Sequence, residues 1–335
     1  MTIRVGIVGT GFAARRRAEA FSSDDRSQLV AVAGSSRQRT EEFCQSYGAE
    51  VLTNWRELVQ RNDIDLVAIC TTNQLHGEIV RAALENGKHV VVEYPLCLNP
   101  TEAAELVAIA ETTGKLLHVE HIELLGGVHQ ALIQWLPTIT PAFSVRYVTI
   151  SPKHPAPRKW SYQPDAFGFP LVGALSRLHR PIDRFGAVAT VKGRSKFWDA
   201  PEAGYYKACW CEAQFTFTSG VMGEVVYGKG ETFWQTENQF VVYGEGGTLI
   251  LSSDGGMLVR GEEKQSIEIA SRRGLFTKDT TMVLDRLLEG TPLYITNTDS
   301  VYTLKVADAI RQSVETGQVQ ELMVDGSTTS ELLNS

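Results

Sequence analysis

The sequence predicts an α/β dinucleotide-binding domain over residues 1–124, followed by an α+β domain over 125–335 built mostly of antiparallel sheet. Three observations carry this. Val5-Gly6-Ile7-Val8 has the pattern of a short buried strand and runs into the glycine turn Gly9-Thr10-Gly11-Phe12-Ala13-Ala14, the strand–turn–helix start of a βαβ unit. Apolar strand patterns then alternate with helical ones as far as Glu120, as in a parallel sheet. Beyond Leu125 the alternation gives way to strands joined by Gly-rich turns such as Ser219-Gly220 and Gly255-Gly256.

Composition narrows the function classes. The chain has 335 residues, enough for two domains, and is 43% hydrophobic and 21% charged, as soluble globular proteins are. No apolar run has the length of a membrane span, and nothing before Val5 forms an apolar leader core. The five cysteines, Cys44, Cys70, Cys97, Cys209 and Cys211, are scattered and form no CxxC, which fits a reducing cytoplasm. A net charge of −7 counts against nucleic acid as a partner. The open alternatives for subunit state are a monomer and a homodimer formed through the second domain's sheet.

In the first domain, Gly9 allows the tight turn, Gly11 lets backbone approach a pyrophosphate, and Ala14 is small enough for helix–strand contact. Thr10, Phe12 and Ala13 complete this cofactor-binding turn, and the helix that follows offers unpaired N–H groups to phosphate. The second strand, Leu29–Ala33, ends in Gly34-Ser35-Ser36-Arg37, with no acid where a ribose 2′-OH is usually met. Ser35 and Ser36 can donate hydrogen bonds and Arg37 can pair with a 2′-phosphate, so NADPH is the expected cofactor. Arg15, Arg16 and Arg17 add positive charge on the first helix. The strand Ile64–Cys70 ends in a loop, Thr71-Thr72-Asn73-Gln74-Leu75-His76, and the helix is expected to begin at Ile79. The strand His89–Glu93 is followed by Tyr94-Pro95, and Leu116–Glu120 closes the domain. These loops lie where open α/β sheets bind ligands, so Thr71, Thr72, Asn73, His76, Glu93, Tyr94 and Glu120 join the candidate cofactor residues.

The glycine turn, the Thr71-Thr72-Asn73-x-x-His76 loop and Glu93-x-Pro95 together resemble the large oxidoreductase family of glucose–fructose oxidoreductase and inositol dehydrogenase. Most members place a lysine in the middle of the Glu-x-Pro loop; here it is Tyr94. Glu-Tyr-Pro with His118-Val119-Glu120-His121-Ile122-Glu123-Leu124-Leu125 is similar to the biliverdin reductases. Lys115–His129 and Phe167-Gly168-Phe169-Pro170-Leu171-Val172 resemble their cyanobacterial type. This resemblance extends over essentially the whole chain and implies NADPH-dependent reduction of biliverdin to bilirubin, with hydride passing to the central methine carbon. In sugar-oxidising relatives the later motif looks like Gly-x-Leu-x-Asp-x-Gly-x-His. Gly173 and Leu175 match it, while Arg177 falls on the aspartate and Pro181 on the histidine.

The residue types suit a flat tetrapyrrole with two propionates. Tyr94, Trp160, Phe167 and Phe169 can cover its faces, and Arg177 and Arg180, one helical turn apart, can hold carboxylates, with Glu123 ordering the site. Arg177 and Tyr94 are the candidate catalytic residues. For Tyr94, packing beside the loop proline stays open as the alternative, and for the arginines a solvated helix face. His118 and Glu120 share one strand face while His121 points away, too few ligands for a metal, and none is expected. The other functions to weigh are an NAD(P)-dependent sugar or polyol dehydrogenase of the same family and a non-catalytic NADP(H)- or bilin-binding regulator.

Overall fold

The computed structural model describes residues 2–322. Met1 and residues 323–335, which the sequence division includes in its two domains, lie outside the described residues. The chain forms two compact units, Met1–Ile122 with Arg273–Val301, and Glu123–Arg272 with the described part of Tyr302–Ser335. The sequence division puts Arg273–Val301 in the second domain; in the structure this stretch groups with the first.

The first unit runs β1 (Ile3–Val8), α1 (Phe12–Ser22), β2 (Ser27–Ala33), α2 (Arg37–Cys44), β3 (Glu50–Leu52), α3 (Trp55–Gln60), β4 (Leu66–Ile69), α4 (Asn73–Glu85), β5 (His89–Glu93), α5 (Pro100–Thr113) and β6 (Leu117–Glu120). Its sheet has the order β3-β2-β1-β4-β5-β6, and every pair is parallel. Strand order reverses between β1 and β4, the switch point at which such sheets bind ligands. Val5, Ile7, Leu66, Val67, Val90 and Val92 are wholly buried, as expected of parallel strands covered on both faces. At the start of α5 the Asn99 side chain accepts hydrogen bonds from the N–H groups of Thr101 (2.8 Å) and Glu102 (3.3 Å).

One helix begins earlier than its sequence pattern suggests. α4 starts at Asn73, not at Ile79, so Asn73 and His76 stand on its first turns. Gly77 reads locally as a helix breaker, yet a Cβ there would collide with the Glu102 carboxylate on α5. The helix nevertheless runs through this glycine despite its poor propensity.

In the second unit, α6 (Gly127–Trp135) and β7 (Ala142–Pro152) precede an irregular proline-rich stretch holding α7 (Pro164–Phe167) and α8 (Pro170–Gly173). After α8 the chain turns at Ala174, and α9 spans Ser176–Phe185 with Pro181 inside it. Next come β8 (Val188–Asp199), β9 (Tyr206–Phe217), β10 (Met222–Gly230), β11 (Glu237–Gly244), β12 (Gly247–Ser252), β13 (Gly255–Arg260) and β14 (Glu263–Ile267). The last elements among the described residues are α10 (Leu275–Glu289), α11 (Asn297–Thr316) and β15 (Gln320–Glu321). The nine-stranded sheet has the order β14-β13-β12-β11-β7-β10-β9-β8-β15 and is antiparallel except where β10 pairs with β7.

α10 packs Val283 and Leu284 into the first unit's core, and one buried side chain adds a charged tie. Arg17, on α1, has no exposed surface. It pairs with Asp279 on α10, donates to Thr280 Oγ1 (3.1 Å) and to Glu93 Oε1 (3.1 Å), and lies over the Phe276 ring. This corrects the expectation that Arg17 adds positive charge on the first helix like Arg15 and Arg16, since its guanidinium is buried in the core. Removing one partner of a buried ion pair leaves an uncompensated charge. Arg17→Met should therefore lower unfolding stability by about 3–5 kcal/mol, read as a fall in the urea midpoint; an unchanged midpoint contradicts this role for the pair.

Candidate functional site

The glycine turn lies at the carboxyl end of β1. Gly9 has φ +119, and a Cβ on it would run into the Cys70 carbonyl oxygen, so a larger residue there is both strained and blocked. At Gly11 an added Cβ meets nothing within 4 Å. Gly11 caps α1 without a side-chain bond, and no acid stands in the helix's first turn. The first-turn N–H groups thus face open space and suit an anion. Thr10 and Ala13 are half-buried, and Phe12 is 72% exposed.

The β2 turn explains the missing acid sterically. A Cβ on Gly34 would meet Thr40 Oγ1 and lie 2.9 Å from Thr10 Cγ2. Ser35 is exposed, Ser36 is half-buried at the N-cap of α2 with its side chain unused in capping, and Arg37 is exposed and paired with Glu41 at 2.9 Å.

At the carboxyl end of β4, Thr72 Oγ1 is buried with no hydrogen-bond partner. Asn73 is buried. His76 is 1% exposed, with Nδ1 2.8 Å from Pro95 O and Nε2 3.4 Å from Thr71 O, and burial pushes its pKa down. Its imidazole ties the β4 loop to the loop after β5. His76 positions these loops from within the protein instead of presenting a ring to a ligand. Tyr94 is half-buried, begins a cis Tyr94–Pro95 peptide, and stacks on His121 with ring centroids 5.5 Å apart.

Glu93 and Glu120 are register partners at the ends of β5 and β6. Glu120 is 2% exposed and accepts from the Ile122 N–H at 2.6 Å. Burial pushes both carboxyl groups above their ordinary pKa; Asp279 raises both further, and for Glu120 so does neighbouring Glu93. Asp279 goes the other way. Despite its burial, Arg17 and His118 hold its carboxyl well below the ordinary value. Its Oδ1 lies 2.8 Å from His118 Nε2 and accepts from the Tyr294 hydroxyl at 2.7 Å. Asp279 and Tyr294, far along the chain from any motif, gave no sequence signal.

The second unit gathers a different set. Arg180 is 3% exposed, donates to the Tyr147 hydroxyl (3.0 Å) and to Glu123 (3.4 Å), and lies over the Tyr147 and Phe240 rings. Its Nε is buried without a partner. Glu123 also pairs with Arg272. Arg177 is half-buried, donates to Ser176 Oγ (2.7 Å) and Thr149 Oγ1 (3.3 Å), and lies over Tyr227. Arg177, Arg180, Arg272 and Glu123 line one cleft together with Asn238 and Ser252. Three guanidinium groups against one carboxylate give the cleft a surplus of positive charge. Arg184 does not join it; its side chain pairs with Asp183.

The proposed aromatic cover falls elsewhere in this unit. Trp160 lies 6.0 Å from Phe167 between ring centroids, and Phe169 precedes α8. Lys229, which the sequence analysis did not single out, donates to Ser161 O at 2.5 Å with its ammonium 3.7 Å from the Phe167 centroid. Burial pulls its pKa down to about 8. Among the described residues, no group of three or more His, Cys, Asp or Glu side chains could hold a metal, and no helix is long and apolar enough to cross a membrane.

Residues 3–121 match the oxidoreductase family with an NAD-binding Rossmann fold, and residues 143–322 match the C-terminal alpha/beta domain of that family. The chain belongs to this oxidoreductase family. The open turn at Gly11, the uncapped α1 and the orphaned Thr72 hydroxyl fit the dinucleotide that the family's Rossmann fold binds. Within the family, the chain is similar to biliverdin reductase from Synechocystis sp. PCC 6803, solved in complex with biliverdin and NADP+, at 50% identity and a TM-score of 0.92 over 93% of this chain and 99% of that one. It is 27% identical over 266 residues to a dTDP-3,4-didehydro-2,6-dideoxy-alpha-D-glucose 3-reductase of Streptomyces antibioticus, 74% of this chain and 75% of that protein. Biliverdin reductase A of Mus musculus is 31% identical over 135 residues, 40% of this chain and 43% of its own length. The protein is an oxidoreductase with a dinucleotide-binding Rossmann domain.

Because Gly11 has open space around it, Gly11→Val should leave the fold intact and abolish dinucleotide binding. Fluorescence titration with NADPH, alongside circular dichroism, checks this; normal binding by the folded variant contradicts the site.

Proposed function

We propose that this chain catalyses NADPH-dependent reduction of biliverdin to bilirubin. One observation carries the proposal: 50% identity, across nearly the full length of both chains, to an enzyme solved with biliverdin and NADP+. Two local features support it. Tyr94 stands where most relatives carry a lysine, and Arg177 stands where sugar-oxidising relatives carry an aspartate, so the groups for alcohol oxidation are missing. The three-arginine cleft suits a dianionic substrate. We take the setting to be the cytoplasm, in keeping with five buried free cysteines.

NADPH would be held by the α1 N-terminus and the Gly9–Ala13 turn, with Ser35, Ser36 and Arg37 at its 2′-phosphate, and supplies a hydride when bound. Arg177 then stabilises developing charge on the bilin, its guanidinium steadied by Ser176, Thr149 and the Tyr227 ring. Arg180 and Arg272 grip propionate. A guanidinium is too weak an acid to give up its own proton at neutral pH.

The deciding assay mixes protein, NADPH and biliverdin and follows bilirubin absorbance with NADPH consumption. Turnover supports the proposal. Binding without turnover favours a regulator, and NAD(P)+ reduction by a polyol favours a sugar dehydrogenase. Arg177→Ala should lower kcat about a hundredfold with bilin binding retained; a near-normal kcat contradicts its role. Arg37→Ala should raise KM for NADPH by about ten- to a hundredfold and leave NADH almost unaffected. Equal effects on the two cofactors remove Arg37 from the phosphate site.

A further inference from the structure

Glu93 and Glu120 face each other from adjacent parallel strands, whose separation is about 4.8 Å. As register partners they project their side chains from the same face of the sheet, and both carboxyl groups are drawn from water into one buried cluster. An ionised carboxylate only accepts hydrogen bonds, so two of them bond to each other only when a proton lies between.

The charges around the pair agree. From α1, Arg17 Nε donates to Glu93 Oε1 at 3.1 Å. From α10, Asp279 is the second carboxylate on that same guanidinium, and Thr280 takes another of its N–H groups. From β6, His118 bonds Asp279, and the Ile122 N–H bonds Glu120. The Tyr294 hydroxyl donates to Asp279 and accepts from the His121 N–H. From the end of β4, the Cys70 thiol is buried beside Glu93, and its pKa is pushed well up by burial and by that carboxylate. One guanidinium therefore faces three carboxyl groups, and Asp279 already matches its charge. Glu120 is 2% exposed, while the Glu93 side chain is 16% exposed and is the pair's opening to solvent.

We propose that Glu93 and Glu120 form a one-proton store of the redox site, charged while the cofactor is reduced and emptied when it is oxidised. This deepens the function proposed above and rests on the first unit binding NADP(H). The carboxyl ends of these strands are where such a sheet binds its ligand, and NADP+ differs from NADPH by a positive nicotinamide. A cation nearby favours the ionised carboxylate, so the proton leaves as the cofactor's charge appears. Biliverdin reduction consumes one hydride and one proton. When the cofactor is oxidised the carboxyl O–H bond breaks at Glu93 and the proton passes to water, leaving the pair a dianion; a proton taken from solvent restores the O–H bond when the cofactor is reduced again.

The test needs no bilin. Calorimetric titration of the full chain near pH 7, in buffers of different ionisation enthalpy, counts the protons released on binding NADP+ and on binding NADPH. The two share every phosphate, so the difference reports the nicotinamide. NADP+ should release about half a proton to one proton more than NADPH. Glu120→Gln, shown folded by circular dichroism and titrated to saturation with each cofactor, should abolish the difference. Equal release from the native protein overturns the proposal, and so does a difference that survives in folded Glu120→Gln. Infrared spectra of the native protein give a second measurement that does not depend on the variant folding. The carbonyl band of a protonated carboxyl should be present with NADPH and lost with NADP+; a band unchanged between the two states overturns the store. Failure to bind either cofactor would instead refute the NADP(H) assignment, and absence of biliverdin turnover with normal proton release would refute only the substrate.

Discussion

A wholly buried guanidinium ties α10 to the first unit. Taking Arg17 out of solvent costs several kcal/mol, which only close, well-bonded counter-charges can offset. They come from Asp279, 262 positions later, from Glu93 on β5 and from Thr280. The chain must therefore return to the Rossmann unit after building most of the second sheet, and Arg273–Val301 is the stretch that does so. The same pair of ions fixes the far end of β5, and with it the start of the Tyr94–Pro95 loop, whose Pro95 carbonyl is in turn held by His76.

The two units use buried arginine in opposite ways. Around Arg17 the carboxyl groups outnumber the guanidinium, and burial together with the neighbouring carboxylates pushes the pKa values of Glu93 and Glu120 upward. Around Arg180 the cations are in surplus. Glu123 is shared with Arg272, ring faces of Tyr147 and Phe240 take part of the guanidinium, and its Nε is left without a partner. The first arrangement suits holding a proton, the second holding an anion, and the proposed reaction requires both.

Much of the site could be read from the sequence because its residues end strands. Gly9, Gly11, Thr72, Glu93 and Glu120 all follow or finish apolar runs, and the carboxyl ends of parallel strands converge whatever the helices between them do. The start of α4 was not readable, since Gly77 breaks the local pattern and the helix runs through it all the same. Position 34 was half readable. The sequence shows the absence of an acid, and the structure adds that Thr40 and Thr10 leave no room for one. Arg15, Arg16 and Arg17 look alike in sequence, and only the packing of α1 on α10 separates two exposed side chains from one wholly buried.

The sequence by itself determined the Rossmann start, the change to antiparallel sheet after Leu125, and a family resemblance over nearly the whole chain. Each rests on local periodicity or on short motifs whose residues lie within one turn or strand end. The tertiary structure decided the return of α10 to the first unit, the parallel pairing of β7 with β10, the Arg17–Asp279 pair, and the meeting of Arg180, Arg272 and Glu123 in one cleft. These join residues far apart along the chain. Their partners are selected by burial and charge balance, and no local pattern records either.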